Sequence, residues 1–133
     1  MKWLNILIGA VALIILLTSC GGGGGGVVVK PPAPENLKAE RNWVKSGSNL
    51  TQKTDLSWDA VSGAQSYKIY RKAENQNSVT FLKSLSSTSY TDNIPSDLYI
   101  FDIDYFVSAI VNGTEGDKAK VTTSAPPPPP PFD

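Results

Sequence analysis

The chain has no histidine and only one cysteine among its 133 residues. Each shortage excludes particular catalytic, metal-binding or crosslinking arrangements. Without histidine there is no Ser-His-Asp or Cys-His arrangement, and the commonest ligand of zinc and copper is missing. A single cysteine forms no disulfide within one chain, so an apolar core alone must hold the fold together. The composition therefore favours a protein that is not an enzyme and that needs no cofactor.

An excess of charge of one sign is also missing, since 12 basic residues stand against 12 acidic ones. Proteins that bind nucleic acid carry a basic excess, so we expect no nucleic-acid partner. Asp102 and Asp104 share a face of an extended segment, with Asp92 and Asp97 near them in sequence. Such carboxylates suit a calcium site or a glycosidase pair, but isolated acids of this kind are typical of solvated turns. We expect no metal ion and no small-molecule substrate.

The N-terminus carries a four-residue motif, Leu17-Thr18-Ser19-Cys20, behind a nearly unbroken apolar run at residues 4–17. These fourteen residues have signal-peptide length and fall short of the ~20 that span a bilayer. The motif resembles the bacterial lipobox. The resemblance implies that residues 1–19 are a lipoprotein signal peptide, that cleavage precedes Cys20, and that Cys20 carries diacylglycerol with a third acyl chain, such as palmitate, on its amine. An ordinary signal peptide and an uncleaved anchor are the alternatives.

The expected lipid makes a membrane the first partner of the chain. One myristoyl chain binds a bilayer only marginally, whereas two or three acyl chains anchor a protein essentially permanently. The resemblance implies a bacterial envelope location and, because proteins of this family are sorted by the residue after the cysteine, here Gly21, it implies the outer membrane if the cell is Gram-negative. Removal of the signal peptide leaves 114 residues, enough for one domain.

Low-complexity segments flank the expected domain. Residues 20–34 begin with six consecutive glycines after Cys20 and end in a proline-rich stretch, which predicts a flexible tether. Residues 125–133 contain six consecutive prolines, which predict a polyproline II rod of ~19 Å. We expect a spacer or wall-threading stalk there. A ligand for an aromatic groove, anchored by Phe132, is the alternative.

Residues 35–124 contain short alternating runs separated by turn clusters, a pattern that predicts an all-β domain. Seven strands are expected, and Asn112-Gly113 is a strong hairpin signal that we read as the start of a loop to Gly116. The expected strands cover residues 37–39, 54–58, 66–71, 79–83, 88–92, 104–111 and 118–123.

Five segments together are similar to a bacterial fibronectin type III domain: residues 34–39, 56–64, 67–71, 89–92 and 105–109. The resemblance implies an immunoglobulin-like sandwich of two antiparallel sheets with three to four strands each. Tyr105 resembles the corner tyrosine, whose hydroxyl bonds to the backbone of the preceding loop. The apolar stretch at residues 94–101 departs from the pattern. The expected core contains Leu37, Leu56, Trp58, Tyr67, Ile69, Tyr90, Tyr105 and Val107.

Strand alternation also predicts what the opposite face of one sheet shows to water. If Tyr67, Tyr105 and Ala119 point inward, their neighbours in sequence point outward. The outward set predicts an aromatic face with a basic rim, suited to a protein or a glycan, although cross-strand pairing alone also explains such residues. This candidate binding face comprises Lys68, Tyr70, Phe106, Ile110, Lys118 and Lys120.

The sequence as a whole predicts a lipid-anchored envelope protein that displays a non-catalytic binding or spacer domain. Its expected partner, beyond the membrane, is an envelope protein or a glycan. A surface adhesin or carbohydrate-binding accessory that uses Tyr70 and Phe106 is one alternative. A scaffold subunit that uses the sheet edges and the proline tail is another, and a hydrolase built on Asp102 and Asp104 is a remote third.

Overall fold

The computed structural model describes residues 29–131. The lipobox residues Leu17, Thr18, Ser19 and Cys20, most of the expected tether, and Phe132 lie outside the described residues. Between residues 29 and 131, no helix is long and apolar enough to span a membrane.

Seven β-strands make up the domain, as the alternating pattern predicts. They form two antiparallel sheets, one with the order β1-β2-β5 and one with the order β4-β3-β6-β7. One 3₁₀ turn, Ser96–Leu98, lies in the crossing from β5 to β6. The strands are β1 (Lys38–Ser46), β2 (Asn49–Ser57), β3 (Ser66–Ala73), β4 (Thr80–Leu85), β5 (Ser89–Ile94), β6 (Ile103–Val111) and β7 (Thr114–Thr123).

The core lies between the two sheets and follows from alternation. In β3, every second residue from Tyr67 to Ala73 is buried, and in β6 Ile103, Tyr105 and Val107 are fully buried. Trp58 packs edge-on against Tyr67, with ring centroids 5.5 Å apart. Of the expected core residues, Leu56, Trp58, Tyr67, Ile69, Tyr105 and Val107 are buried, whereas Leu37 and Tyr90 are partly buried and pack against the core.

One hairpin has a tighter turn than the sequence patterns suggest, and another has its turn at the expected residues 46–49 but longer strands. Asn112 and Gly113 have φ angles of 49° and 78°, the left-handed pair that a two-residue type I′ turn requires. The expected loop from Asn112 to Gly116 is therefore wrong: this turn matches the twist of its strands, and β7 starts directly after it at Thr114. The first hairpin turns at Gly47, so β1 and β2 both extend well beyond the expected residues 37–39 and 54–58.

The unusual crossing between β5 and β6 is held by a buried arginine. Arg41 donates to the carbonyl oxygens of Leu98, Tyr99 and Phe101 at 2.7–3.1 Å, and its Nε donates to Gln52 Oε1 at 2.8 Å. Gln52 in turn donates to the Tyr99 carbonyl at 3.1 Å. Desolvation lowers the pKa of Arg41 from its usual value. The carbonyl groups of a non-repetitive segment thus find their donors on β1 and β2.

A polar cluster crosses the core between the sheets. Arg71 Nη1 donates to both carboxylate oxygens of Asp92, at 2.8 and 3.0 Å. The Tyr105 hydroxyl is hydrogen bonded to Asp92 Oδ2 at 2.8 Å and to Thr54 Oγ1 at 3.0 Å. Two expectations are therefore wrong. Asp92 is not a solvated turn residue, because it neutralises an inward arginine, and Tyr105 bonds to side chains rather than to loop backbone.

Candidate binding face

The outer face of the four-stranded sheet carries a row of side chains that runs across all four strands. Phe81 of β4 is in register with Tyr70 of β3, Tyr70 with Phe106 of β6, and Phe106 with Lys120 of β7. Residues directly opposite each other in a sheet have their side chains on the same face. We call Phe81, Tyr70, Phe106 and Lys120 the aromatic row.

Each ring of the aromatic row contacts another ring or the ammonium group of a lysine. The rings of Tyr70 and Phe81 lie 5.7 Å apart at 66°. The ammonium group of Lys120 is 6.0 Å from the Phe106 centroid, and that of Lys118 is 4.9 Å from the Tyr70 centroid. Phe81 remains 53% exposed, whereas Tyr70 and Phe106 are partly buried, so the aromatic surface that faces water is mainly the Phe81 ring. Monomeric domains seldom leave contiguous aromatic surface without a use.

Glu115 of β7 holds the polar half of the same face. Its two carboxylate oxygens accept from the Tyr70 hydroxyl at 2.9 Å each, and Oε2 also accepts from Ser108 Oγ at 3.0 Å. Lys68 and Lys118 form ion pairs with it at 3.4 and 3.3 Å. One carboxylate therefore fixes groups from β3, β6 and β7 in a single arrangement.

The electrostatics of Glu115 and Tyr70 follow from this contact. Burial, the hydrogen bond to Glu115 and the charge of Glu115 together raise the pKa of Tyr70 to about 12. Burial also acts to raise the pKa of Glu115. The hydrogen bonds from Tyr70, Ser108 and Lys118 nevertheless outweigh it and hold that pKa below its usual value. At neutral pH the pair is a carboxylate and a neutral phenol.

The structure thus places all six residues that the sequence assigns to the face on the outer side of the sheet, and five of them take part in its ion pairs, hydrogen bonds and ring contacts. Lys68, Tyr70 and Lys118 meet at Glu115, while Phe106 and Lys120 meet at the far side of the aromatic row. The sixth residue, Ile110, is half-buried. It is in register with Glu115, and the register between β6 and β7 shifts between Ser108 and Ile110.

Sequence reasoning misses two residues of this face, Phe81 and Glu115. A register shift opposite Ile69 and Tyr70 changes which residues of β4 face outward, so simple alternation does not identify Phe81. Glu115 falls in the segment that the sequence assigns to a loop. The signal that identifies it is the Asn112-Gly113 turn, because a two-residue turn places Glu115 within the paired strand.

The carboxylates that the sequence singles out do not assemble into a metal or catalytic centre. Asp102 accepts the backbone N–H of Ala125 at 3.1 Å, and Asp104 accepts from Thr122 at 2.6 Å and pairs with Lys120 at 3.4 Å. Asp92 is in the core, and Asp97 is an exposed residue of the 3₁₀ turn. Within residues 29–131, no three acidic, histidine or cysteine side chains cluster so that they could hold a metal ion.

Solved structures with the same fold cover most of the chain. An Fn3-like protein from Clostridium thermocellum is 29% identical with a TM-score of 0.54, and the match covers 71% of this chain and 92% of that one. The fn3 domain of human collagen alpha-1(XX) is 18% identical, with a TM-score of 0.55 and coverage of 83% and 98%. The FN5 domain of Drosophila Lar is 17% identical, with a TM-score of 0.51 and coverage of 72% and 97%. Comparisons with family models and with curated proteins give no match.

The seven strands and their order, together with these neighbours, define a fibronectin type III fold. This fold suggests a binding or spacer module.

Proposed function

We propose that this protein is a lipid-anchored component of the bacterial envelope, and that its fibronectin type III domain binds a partner without catalysis. The aromatic row is the proposed binding surface. The observation that carries the proposal is the register of Phe81, Tyr70 and Phe106 across three neighbouring strands, which gathers three rings on one exposed face. A spacer needs no such surface.

Preorganisation supports a binding role for this face. Glu115 already fixes the Tyr70 hydroxyl and two lysine side chains, so a partner meets groups whose rotamers are ordered before contact. Association then loses less side-chain entropy, which amounts to about 0.5–1.5 kcal/mol for each long side chain that binding would otherwise immobilise. The exposed ring of Phe81 supplies apolar area at the end of the row.

The chemistry of the face favours an envelope protein or a glycan as the partner. Aromatic rings bordered by charged groups are typical of protein interfaces, and ring faces also stack on sugars. Four lysines, at positions 68, 72, 118 and 120, share the face with two carboxylates, Glu115 and Asp104, so the face is mildly basic. This balance gives no support for a nucleic-acid partner.

The lipid anchor rests on the lipobox resemblance of residues 17–20. It predicts that the mature chain begins at Cys20 and carries three acyl chains, which an intact mass measurement of the membrane fraction detects. Cys20→Ala is expected to remove the acyl mass and to retain the signal peptide. A mature chain that lacks acyl mass but still begins at Cys20 would overturn the anchor and leave the binding face unaffected.

Site-specific photo-crosslinking in intact cells tests the binding face. A photoreactive residue at position 81 or 106 is expected to capture one partner, whereas a probe at Asn93, exposed on the other sheet, is the matched control. Tyr70→Ala with Phe106→Ala is expected to abolish capture from position 81 in a domain that melts at a lower temperature but is still folded at the temperature of the assay. If position 93 captures the same species, or if the double variant still binds, the face is not the site.

A glycan partner gives a different result in the same design. No protein is captured from positions 81 or 106, but the purified protein binds a sugar array, and the double variant loses that binding. If no protein is captured and no sugar is bound, the domain is only a spacer and the proposed binding function is wrong.

A further inference from the structure

The proline tail contacts the domain, although the sequence suggests a rod that leaves it. The Ala125 N–H donates to Asp102 Oδ1 at 3.1 Å where the tail begins. Two residues later, the indole Nε1–H of Trp43 donates to the carbonyl oxygen of Pro127 at 2.9 Å. These bonds tie the start of the tail to β1 and to the residue that precedes β6.

The burial of the tail repeats every three residues. Pro126 and Pro129 are half-buried, whereas the prolines at 127, 128, 130 and 131 are exposed. A polyproline II helix has three residues per turn, so residues i and i+3 lie on one side of it. The tail therefore presents one of its sides to the domain along at least one full turn.

Trp43, which donates to the tail, belongs to an aromatic pair with a fixed geometry. The rings of Trp43 and Tyr99 meet edge-on, with centroids 5.1 Å apart and an interplanar angle of 80°. The backbone carbonyl of Tyr99 accepts from Arg41 at 3.0 Å and from Gln52 at 3.1 Å, which immobilises the crossing below the ring. The segment that carries the Tyr99 ring is thus fixed by hydrogen bonds from β1 and β2.

We propose that Trp43 and Tyr99 form a binding site for a polyproline II segment and that residues 126–131 of the same chain are its resident ligand. Prolines have no N–H and expose their carbonyl oxygens, so an aromatic ring with an aimed indole N–H matches both features of the ligand. The polyproline II helix is ordered before it binds, which lowers the entropy cost. This site uses β1 and the crossing, and none of its residues belongs to the aromatic row.

The tethered tail competes with any second proline-rich segment. A short flexible link gives an effective concentration of order millimolar, so a free peptide must exceed this level to displace the tail. Replacement of residues 126–131 by Gly and Ser therefore opens the site, and a peptide with the sequence of residues 124–131 binds it from solution. The apparent affinity of the unmodified chain for that peptide is expected to be at least about tenfold weaker.

The test uses the full chain extracted in detergent, with and without the Gly/Ser replacement, and follows the indole N–H resonances by NMR. Trp43→Phe assigns the Trp43 signal, keeps a ring in place and removes the donor. The Trp43 resonance is expected to shift when the tail is replaced and to return when the peptide is added. A peptide with serine in place of every proline is the matched control and should leave the signal unchanged.

Three outcomes would overturn the proposal. An unchanged Trp43 resonance after tail replacement would show that the tail does not occupy the site. If millimolar peptide fails to reverse the shift of the Trp43 resonance, the tail contacts Trp43 only because it is part of the same chain, and there is no binding site. Equal binding of the serine peptide, or undiminished binding by a folded Trp43→Phe chain, would remove the specificity for proline and the role of the indole donor.

Discussion

Asp92→Asn is the substitution whose effect the structure predicts most sharply. The side chains of Arg71 and Asp92 are only 10% and 5% exposed, so water screens their charges poorly. Removing one partner of a buried ion pair leaves the other charge uncompensated, which costs about 3–5 kcal/mol. The total stability of a domain of this size is about 5–15 kcal/mol. We therefore expect Asp92→Asn to remove a large fraction of it.

Urea denaturation and thermal melting measure this loss. For a domain of this size, each kcal/mol lowers the melting temperature by roughly 4 °C or more, so the midpoint should fall by at least about 12 °C. The matched control is Asp104→Asn, which breaks the partly exposed pair with Lys120, where the two side chains are 28% and 55% exposed. That pair contributes no more than about 1 kcal/mol.

A double-mutant cycle separates the charge from the packing. Arg71→Met removes the cation that Asp92→Asn leaves unpaired, so the double variant should be more stable than Asp92→Asn alone, although it carries one more substitution. If Asp92→Asn costs no more than Asp104→Asn, or if the two core substitutions simply add, the ion pair does not dominate this part of the core and the reasoning fails.

Three further predictions concern other parts of the domain. Arg41→Met should cost about 3 kcal/mol, because it leaves carbonyl groups without donors, and faster hydrogen exchange in the crossing checks this; unchanged exchange there would contradict it. Gly116→Ala should cost about 1–3 kcal/mol in a melting experiment, because its Cβ would overlap the carbonyl of Pro31, and a neutral result would refute the close contact. Tyr70 should ionise near pH 12, so the stability that its neutral form contributes is complete below pH ~10 and is lost between pH ~10 and about 12. Glu115→Gln should lower the pKa of Tyr70 in an ultraviolet titration, because it removes the charge beside the hydroxyl. An unchanged pKa would exclude the contact between Tyr70 and Glu115.

The strand pattern is the part of the structure that sequence reasoning reaches, because alternation and turn residues are local signals. The same alternation places Arg71 on the inward side, two residues after Ile69, but charge argues against a buried position. The position of Arg71 is decided by its ion-pair partner, Asp92, which makes the buried arrangement possible. Asp92 lies 21 residues away along the chain and on the other sheet, so no local pattern joins the two.

The binding face shows the same division between local and long-range information. Alternation finds Tyr70, Phe106 and the two lysines of β7, because each follows from the parity of its own strand. It misses Phe81, because the register of β4 against β3 shifts between Ile69 and Tyr70. This shift changes which residues of β4 face outward, and nothing in the sequence of β4 indicates it. The polyproline contact depends on Trp43, 84 residues from Pro127, and is equally invisible to local patterns.

The pair Asp102 and Asp104 illustrates how structure reassigns a motif. Two carboxylates that share a face of an extended segment suggest a joint site, yet each accepts a separate set of donors. Asp102 receives the backbone N–H of Ala125 and so fixes where the tail starts, whereas Asp104 pairs with Lys120, whose ammonium lies over Phe106. Because Asp102 precedes β6 and Asp104 lies within it, the two acids support the two proposed binding surfaces separately. Substitution of Asp102 should therefore affect the tail site alone, and substitution of Asp104 the aromatic row alone.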